Sequence, residues 1–276
     1  MGSGRIAPRQ SSRRVDKVSE AIVAIRKAAK LAQSYSGLPL YLGFSGGKDS
    51  LVVYDLARRA GVDFEAWFNP TTLDPAENIR YIRQHFPDVR FTRVRQSFFS
   101  LVRKKKMLPT MLARYCCREY KEGHGVGRVC LMGVRRAESV KRSGRKLVAV
   151  MNSYRTLVES DSLSPVTAMC YGGGKEKITV RPILDWTDDE VWAYIKERGL
   201  PVNPVYGHAR RVGCLFCPMK SGAERLRDME DTPHLAARLL AAAEAVCRPR
   251  FPDGATYLRW WLSGKSVEEF KREDMV

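Results

Sequence analysis

No apolar run approaches the roughly 18 residues that a membrane span requires. The opening stretch MGSGRIAPRQSSRR has no apolar core of the signal-peptide kind. The expectation is a cytoplasmic chain with no membrane partner. Histidine is scarce: His85, His124, His208 and His234 are scattered, and none stands at catalytic spacing from an acid. His208, close to Arg210, is read as structural. The seven cysteines are an odd number, which argues against a disulfide framework and for metal or thiol chemistry. Aromatics make up 9% and are not interleaved with the basic runs, so no stacking platform for nucleic acid is visible. Acidic residues are outnumbered, 30 against 48 Lys and Arg, leaving a net charge of +18. Such an excess attracts polyanions: nucleic acid, nucleotides or acidic partners.

What the chain does have is a core. Hydrophobic residues are 44% of its 276 positions and charged ones 28%, a balance that excludes general disorder. The length suits one large domain or two small ones. Residues 1–16 are polar and basic and read as a tail, with Met1–Ser3 as a start-site or cloning remnant. From Val15, apolar residues recur at threes and fours through Ala32, an amphipathic helix ended by Gly37 and Pro39. Strands are predicted at Leu40–Phe44, Phe64–Phe68, Val89–Val94, Val129–Val134 and Ile178–Ile183. Between them come helices at Leu51–Ala60, Pro75–Phe86 (Asp74 as N-cap) and Asp188–Arg198, the last capped by Thr187. This alternation predicts an α/β fold with a mainly parallel sheet flanked by helices. Tyr171–Gly174 (YGGG) reads as a surface turn, and from Pro201 the pattern changes to loops and short helices.

Between the first strand and its helix stands Ser45-Gly46-Gly47-Lys48-Asp49-Ser50. Two glycines let the backbone curl so that successive N–H groups point inward. Ser45 and Ser50 add hydroxyls, Lys48 adds a point charge, and the helix presents its positive N-terminus. The alternative reading is an ordinary glycine turn, but the coincidence of strand, serines, Lys and Asp favours a phosphate cradle. It is not the GxxxxGK[ST] loop, because the spacing differs.

This segment resembles the signature of the PP-loop ATP pyrophosphatases, which release pyrophosphate from ATP and transfer AMP to an acceptor oxygen. Further stretches are similar to the phosphoadenylyl-sulfate reductase family: Phe68–Pro75 (FNPTTLDP), Cys116-Cys117, Gly133–Ser139 (GVRRAES), Arg181–Trp186 (RPILDW), Asp189–Trp192 (DEVW) and Asn203–Tyr206 (NPVY). The pattern is closest to iron–sulfur members, such as the DNA phosphorothioation ATPases and the adenylyl-sulfate reductases. The resemblance spans roughly Leu40 to Pro218. It implies an adenine nucleotide alpha hydrolase-like fold over 17–200, with 201–276 as a Cys-x-x-Cys and helical segment packed on it. It also implies ATP contacts from Ser45–Ser50, Phe68 and Asn69, and catalytic roles for Lys48, Asp49, Arg135 and Arg136. Asp49 becomes a candidate Mg²⁺ ligand.

Thiolate is the soft ligand that selects iron–sulfur clusters or zinc. Cys116 and Cys117 are adjacent, and Cys214 and Cys217 form Cys-Leu-Phe-Cys far along the chain. Three readings stand: a [4Fe–4S] cluster, which the resemblance favours, a structural zinc, and unligated buried thiols. Arg114, Arg118, Lys121, Arg210 and Arg211 lie near these cysteines in sequence and would offset a cluster's negative charge. Cys130 reads as a core residue of the fourth strand, and Cys170 and Cys247 receive no role.

Two basic runs, Arg103–Lys106 and the stretch from Arg135 to Lys146, read either as solvated faces or as contacts to a polymer phosphate backbone. The leading expectation is an ATP pyrophosphatase that adenylylates an acceptor for sulfur transfer. The acceptor would be nucleic acid, DNA or tRNA, and a cysteine desulfurase is a candidate sulfur donor. The second is an adenylyl-sulfate or phosphoadenylyl-sulfate reductase. Such reductases attack with a thiol on a C-terminal segment, and Val267–Val276 carries no cysteine. The third is a non-catalytic nucleic-acid-binding module with a structural metal, against which the complete loop argues.

Overall fold

A computed structural model describes residues 8–151, 157–163 and 176–274. Met1–Ser3, Cys170 and the turn expected at Tyr171–Gly174 lie outside these residues. The chain forms two compact units. The first takes the chain up to Asn69, Glu77–Thr92 and Gly125–Val212; the second takes Pro70–Ala76, Arg93–His124 and the chain from Gly213. These units interleave along the chain rather than dividing it at 200/201. Pairing across distant sequence draws both 70–76 and 93–124 to the C-terminal part: Leu215 N–H donates to the Leu73 carbonyl (2.7 Å), and Leu108 N–H donates to the Tyr257 hydroxyl (3.1 Å).

The first unit is the α/β body that the alternation implied. Its strands are β1 (Leu40–Gly43), β2 (Phe64–Phe68), β3 (Arg90–Phe91), β4 (Val129–Leu131), β5 (Val148–Met151), β6 (Leu157–Ser160) and β7 (Lys177–Val180). Their order across the sheet is β3-β2-β1-β4-β7-β5-β6. The first five in that order are parallel; β5 pairs antiparallel with both β7 and β6. β4 is wholly buried, and three of the four residues of β1 are, as centre strands covered on both faces should be. The β5–β6 hairpin was not anticipated. An edge hairpin needs only four residues per strand, too few to show a period. β4 and β7 are shorter than expected. After β4 the chain leaves the ladder at Gly133, where a Cβ would lie 2.7 Å from the backbone of Asp49.

The N-terminal helix runs Pro8–Ser36, so it starts inside the segment expected to be a tail. Ala21, Ile25, Ala28 and Leu31 bury its apolar stripe in the sheet core. The helix Lys48–Ala60 buries nine of its thirteen residues and ends at Gly61, whose φ of 65° supplies the left-handed turn. Helix Ala76–His85 crosses from β2 to β3, and helix Asp188–Glu197 follows β7 behind a reciprocal Thr187–Glu190 cap.

The second unit is helical. Helices Phe98–Lys105, Gly222–Asp231, Pro233–Ala245, Gly254–Ser263 and Val267–Asp274 are joined by a short turn at Tyr115–Cys117 that runs into π-helix at Arg118–Glu122. Phe98, Phe99, Val102, Phe216, Leu239 and Trp261 form much of its core. Cys247 lies just past the helix Pro233–Ala245 rather than inside it. No helix among the described residues is long and apolar enough to cross a membrane.

Candidate functional site

The chain runs from β1 to β2 and β3 on one side, then returns to β4 on the other side of β1. The carboxyl end of β1 is thus a switch point of the parallel sheet, the place where such sheets open a crevice for ligands. The Ser45–Ser50 loop occupies it. Gly46 has φ 77°, and a Cβ there would meet Asn78 Oδ1 at 2.2 Å, so only glycine fits. The loop is held from outside: Asn203 Nδ2 donates to the Gly46 carbonyl (2.9 Å) and to Asn78 Oδ1 (2.7 Å). Asn78 Nδ2 donates to the Ser45 carbonyl (3.3 Å). Inside it, Ser50 Oγ accepts from Ser45 N–H (3.2 Å) and donates to the Gly47 carbonyl (2.8 Å). Ser50 is therefore a brace of the loop. Gly47 caps the following helix without a side chain, which leaves the cap without a competing oxygen.

Lys48 and Asp49 open that helix. The Lys48 ammonium stands 3.4 Å from Asp49 Oδ2 and 3.2 Å from Asp188 Oδ1. Lys48 N–H donates to the Tyr206 hydroxyl (2.8 Å). Burial raises the Tyr206 phenol to about 12, so it stays protonated and retains its own hydrogen to donate. Burial acts to raise the Asp188 carboxyl as well. The hydrogen bonds from Arg135 and Lys48 outweigh it and hold Asp188 below the usual carboxylate range.

Arg135 is enclosed. Its side chain is 2% exposed, with Nε on Asp49 Oδ1 (2.6 Å), Nη1 on the Trp186 carbonyl (3.3 Å) and Nη2 on Asp188 Oδ1 (2.7 Å). The guanidinium thus bridges the two carboxylates beside Lys48. Arg136 is turned elsewhere, paired with Asp185 and Asp161 and donating to the Arg145 carbonyl (2.8 Å). As the last residue of β2, Phe68 points into the core against Phe91, and its carbonyl is taken by Thr92 N–H. Asn69 Oδ1 accepts from the Tyr41 hydroxyl (3.1 Å). His208, expected to lack an acid partner, has Glu77 at 3.0 Å.

Four contributors were not singled out by the loop motif: Asn78, Asp188, Asn203 and Tyr206. The last three lie in or beside a stretch that resembled the family, but only tertiary packing brings all four to the loop. Asp188 stands in the first turn of its helix, where the macrodipole by itself accounts for an acid.

In the second unit, Cys116, Cys117, Cys214 and Cys217 all line one small cavity of about 30 Å³, with Thr71, Lys121 and Tyr120. The Lys121 ammonium donates to Cys214 Sγ (3.4 Å). The hydrogen bond with Cys116 lowers the Cys117 thiol, helped by Lys121 and Arg114, whereas burial pushes Cys214 up. The topology thus gathers the four predicted cysteines. Among the described residues, however, no three His, Cys, Asp or Glu side chains converge as a ready metal site. Neutral thiols pack like small hydrophobes, and ligation requires their deprotonation. The donor set fits a thiolate-ligated group in chemistry, and Lys121 supplies a neighbouring positive charge. Arg210 and Arg211, expected to share that role, belong to the first unit. Cys130 is buried in β4, as expected.

In sequence, Glu138 is the one acid within the stretch from Arg135 to Lys146. In the fold Arg142 pairs with Glu138, Arg145 with Glu159 and Lys146 with Asp161. By contrast Arg103, Lys104, Lys105 and Lys106 are exposed.

These features define an α/β protein with a glycine-containing loop at the switch point of a mainly parallel sheet. The phosphoadenosine phosphosulfate reductase domain model matches residues 39–220, and the chain belongs to that family. An uncharacterized protein of Methanocaldococcus jannaschii is 26% identical over 211 residues, 71% of this chain and 40% of the relative. A second from the same organism is 26% identical over 82% of this chain and 53% of its own length, so the chain spans about half of these relatives or less. An adenosine 5'-phosphosulfate reductase of Staphylococcus haemolyticus is 24% identical, covering 63% of this chain and 68% of the relative. Among solved structures, a phosphoadenylyl-sulfate reductase from Candida auris aligns over 78% of this chain and 99% of its own, with 16% identity and TM-score 0.45. A U34-tRNA thiolase from Methanococcus maripaludis, with its [4Fe-4S] cluster, aligns over 90% and 87%, with 13% identity and TM-score 0.39.

Proposed function

We propose that this protein is an ATP pyrophosphatase that adenylylates an acceptor for sulfur transfer, with nucleic acid, DNA or tRNA, as the acceptor. The observation that carries the reading is Lys48 set between Asp49 and Asp188 at the first turn of the loop helix. A lone phosphate site needs donors only. A cation bracketed by two carboxylates suits a metal-bound polyphosphate, since Mg²⁺ is commonly held by one or two carboxylates plus substrate phosphates. Asp49 and Asp188 would hold that ion, which neutralises phosphate charge when bound.

In this mechanism the loop N–H groups and Lys48 bind the β- and γ-phosphates. The acceptor oxygen attacks the α-phosphorus, the bond to the bridging oxygen of the β-phosphate breaks, and pyrophosphate leaves. Lys48 stabilises the charge that grows on the leaving group. Arg135 keeps both carboxylates in place, and Tyr206 fixes the Lys48 backbone. A sulfide-level nucleophile then attacks the adenylylated centre, forming the new bond to sulfur as the bond to the AMP oxygen breaks and AMP leaves; a persulfide from a donor such as a cysteine desulfurase reaches that level when a thiol reductant cleaves its S–S bond. Cys116, Cys117, Cys214 and Cys217 would hold a [4Fe–4S] cluster or a zinc ion, and a cluster would supply a soft binding point for sulfur.

A sulfonucleotide reductase is the second reading, supported by the sequence relationship to adenosine 5'-phosphosulfate reductases. Product analysis with DNA, tRNA or adenylyl sulfate offered in turn separates the two. AMP and pyrophosphate from ATP, stimulated by nucleic acid and abolished in Lys48→Ala and Asp49→Ala, is the expected result. ADP and phosphate as products, or sulfite from adenylyl sulfate with no ATP turnover, overturns the assignment.

A further inference from the structure

The second unit contains a larger cavity that the proposed reaction does not use, with a volume of about 550 Å³. It is bounded by the loop Thr110–Leu112, by the starts of helices Gly222–Asp231 and Val267–Asp274, and by the end of helix Gly254–Ser263. Three cations line it, Arg225, Lys220 and Lys265, and no carboxylate does.

Arg225 is the unusual member. Its side chain is 4% exposed, yet among the described residues it makes no ion pair and its Nε has no hydrogen-bond partner. Its recorded companion is the face of Trp261, 5.3 Å from the guanidinium carbon. Nη2 sits where a Cβ on Gly264 would be, 2.7 Å away, so Gly264 leaves the space the guanidinium occupies. The Cys217 thiol is the titratable group whose charge would act on it. A buried, unpaired guanidinium is destabilising unless something anionic meets it. Lys220 is already paired with Asp228 at 2.7 Å, and the two helix starts carry their own Glu224 and Glu269 caps. The unmet charge is therefore that of Arg225.

The cavity is too large for a bare oxyanion and falls in the range of about 300–1,000 Å³ of organic-ligand pockets. Its mouth carries Met111 and Leu112, 60% and 95% exposed, an apolar rim on a strongly basic protein. We propose that this cavity binds a phosphate ester of nucleotide size, with Arg225 receiving the phosphoryl oxygens and the Met111–Leu112 loop covering the organic part. The phosphate could come from a free mononucleotide or from a nucleic acid strand; the chemistry is the same, and the experiment separates them.

The test uses the full chain, its Arg225→Met, Leu112→Glu and Lys48→Ala variants, and ligand-induced thermal stabilisation with AMP, inorganic phosphate and a single-stranded oligonucleotide. Met keeps the packing against Trp261 and removes the unpaired charge. Arg225→Met should melt at or above the parent without ligand and lose the stabilisation by AMP or oligonucleotide. A lost charged hydrogen bond corresponds to a Kd weaker by about tenfold or more. Leu112→Glu, at an exposed position, should weaken the same ligands by like-charge repulsion while melting with the parent. Stabilisation by AMP assigns the free nucleotide, and stabilisation by oligonucleotide alone assigns the strand. Four results overturn the proposal. One is no stabilisation by any ester. A second is inorganic phosphate matching AMP. A third is a response that survives in Arg225→Met and vanishes in Lys48→Ala, which would belong to the Ser45–Ser50 loop. The fourth is an Arg225→Met chain that loses bound iron or zinc with ester binding unchanged, which would assign the arginine to the cysteines.

Discussion

Replacing Arg135 by Met removes the guanidinium and keeps most of the side-chain volume. Two carboxylates lose their partner, and they do not count equally. Asp188 is 60% exposed, so water replaces the arginine there and the pair is worth at most about 1 kcal/mol. Asp49 is 20% exposed against an arginine at 2%, with a 2.6 Å contact. Breaking a buried pair costs about 3–5 kcal/mol, and the partial access of water to Asp49 places this one at the low end. The sum is about 3–4 kcal/mol. For a chain of this size that is a fall in melting temperature of roughly 6–15 °C. Hydrogen exchange at the amides of Leu51–Leu56 should rise with it, because the loss is local to the loop helix. Pyrophosphate release should be lost, since Lys48 would face two carboxylates no longer fixed in place. The neighbouring Arg136→Met is the control. Its partner Asp185 is 64% exposed, so a cost below about 1 kcal/mol is expected, with activity kept. An Arg135→Met protein that melts with the parent and turns over ATP, beside an inactive Arg136→Met, would refute the reasoning.

Three further outcomes are expected. Protein prepared anaerobically should carry about four irons per chain, the [4Fe–4S] stoichiometry, lost in each of Cys116→Ser, Cys117→Ser, Cys214→Ser and Cys217→Ser but not in Cys247→Ser; colourless protein with one zinc decides for a structural ion. Glu65 bonds Arg128 (2.6 Å) and Arg90 (2.5 Å); burial acts to raise its carboxyl, but Arg128, Trp67 and Arg90 together hold it low. Its contribution is complete above the unfolded value of about 4.3 and is lost as pH falls through the lower folded value. Glu65→Gln should therefore flatten the acid limb of thermal stability below pH 5 and leave the neutral region's slope unchanged; an unaltered acid limb counts against the pairing. If nucleic acid binds, log affinity should fall with log salt by about 0.9 per duplex phosphate neutralised. Replacing Arg103, Lys104, Lys105 and Lys106 by Gln should reduce that slope by up to about 3.6, more than replacing the internally paired Arg142, Arg145 and Lys146; the reverse order would assign the contact to the second run.

Much of this molecule is readable along the chain because the relevant physics is local. Gly46, Gly47, Lys48 and Ser50 are close neighbours, so a loop that presents N–H groups and a cation at a helix start is a property of six adjacent residues. Buried runs such as Leu40–Phe44 and Phe64–Phe68 mark parallel strands for the same reason, and Cys130 in its apolar strand reads as core. The two arginines at 135 and 136 are adjacent and alike in sequence. Only the tertiary structure separates them: one is enclosed between Asp49 and Asp188, the other turns to Asp185 and Asp161. Asp188 shows the same limit, since its place at a helix start accounts for it locally and its contact with Lys48 spans 140 residues. The basic stretch ending at Lys146 looks opposed by Glu138 alone until the β5–β6 hairpin brings Glu159 and Asp161 to it. The division into units is likewise a long-range result, because hydrogen bonds such as Leu215 to Leu73 join segments that composition leaves unrelated. Local order follows from neighbouring side chains and backbone freedom, whereas ion pairing and the filling of a cavity depend on which distant segments share a volume.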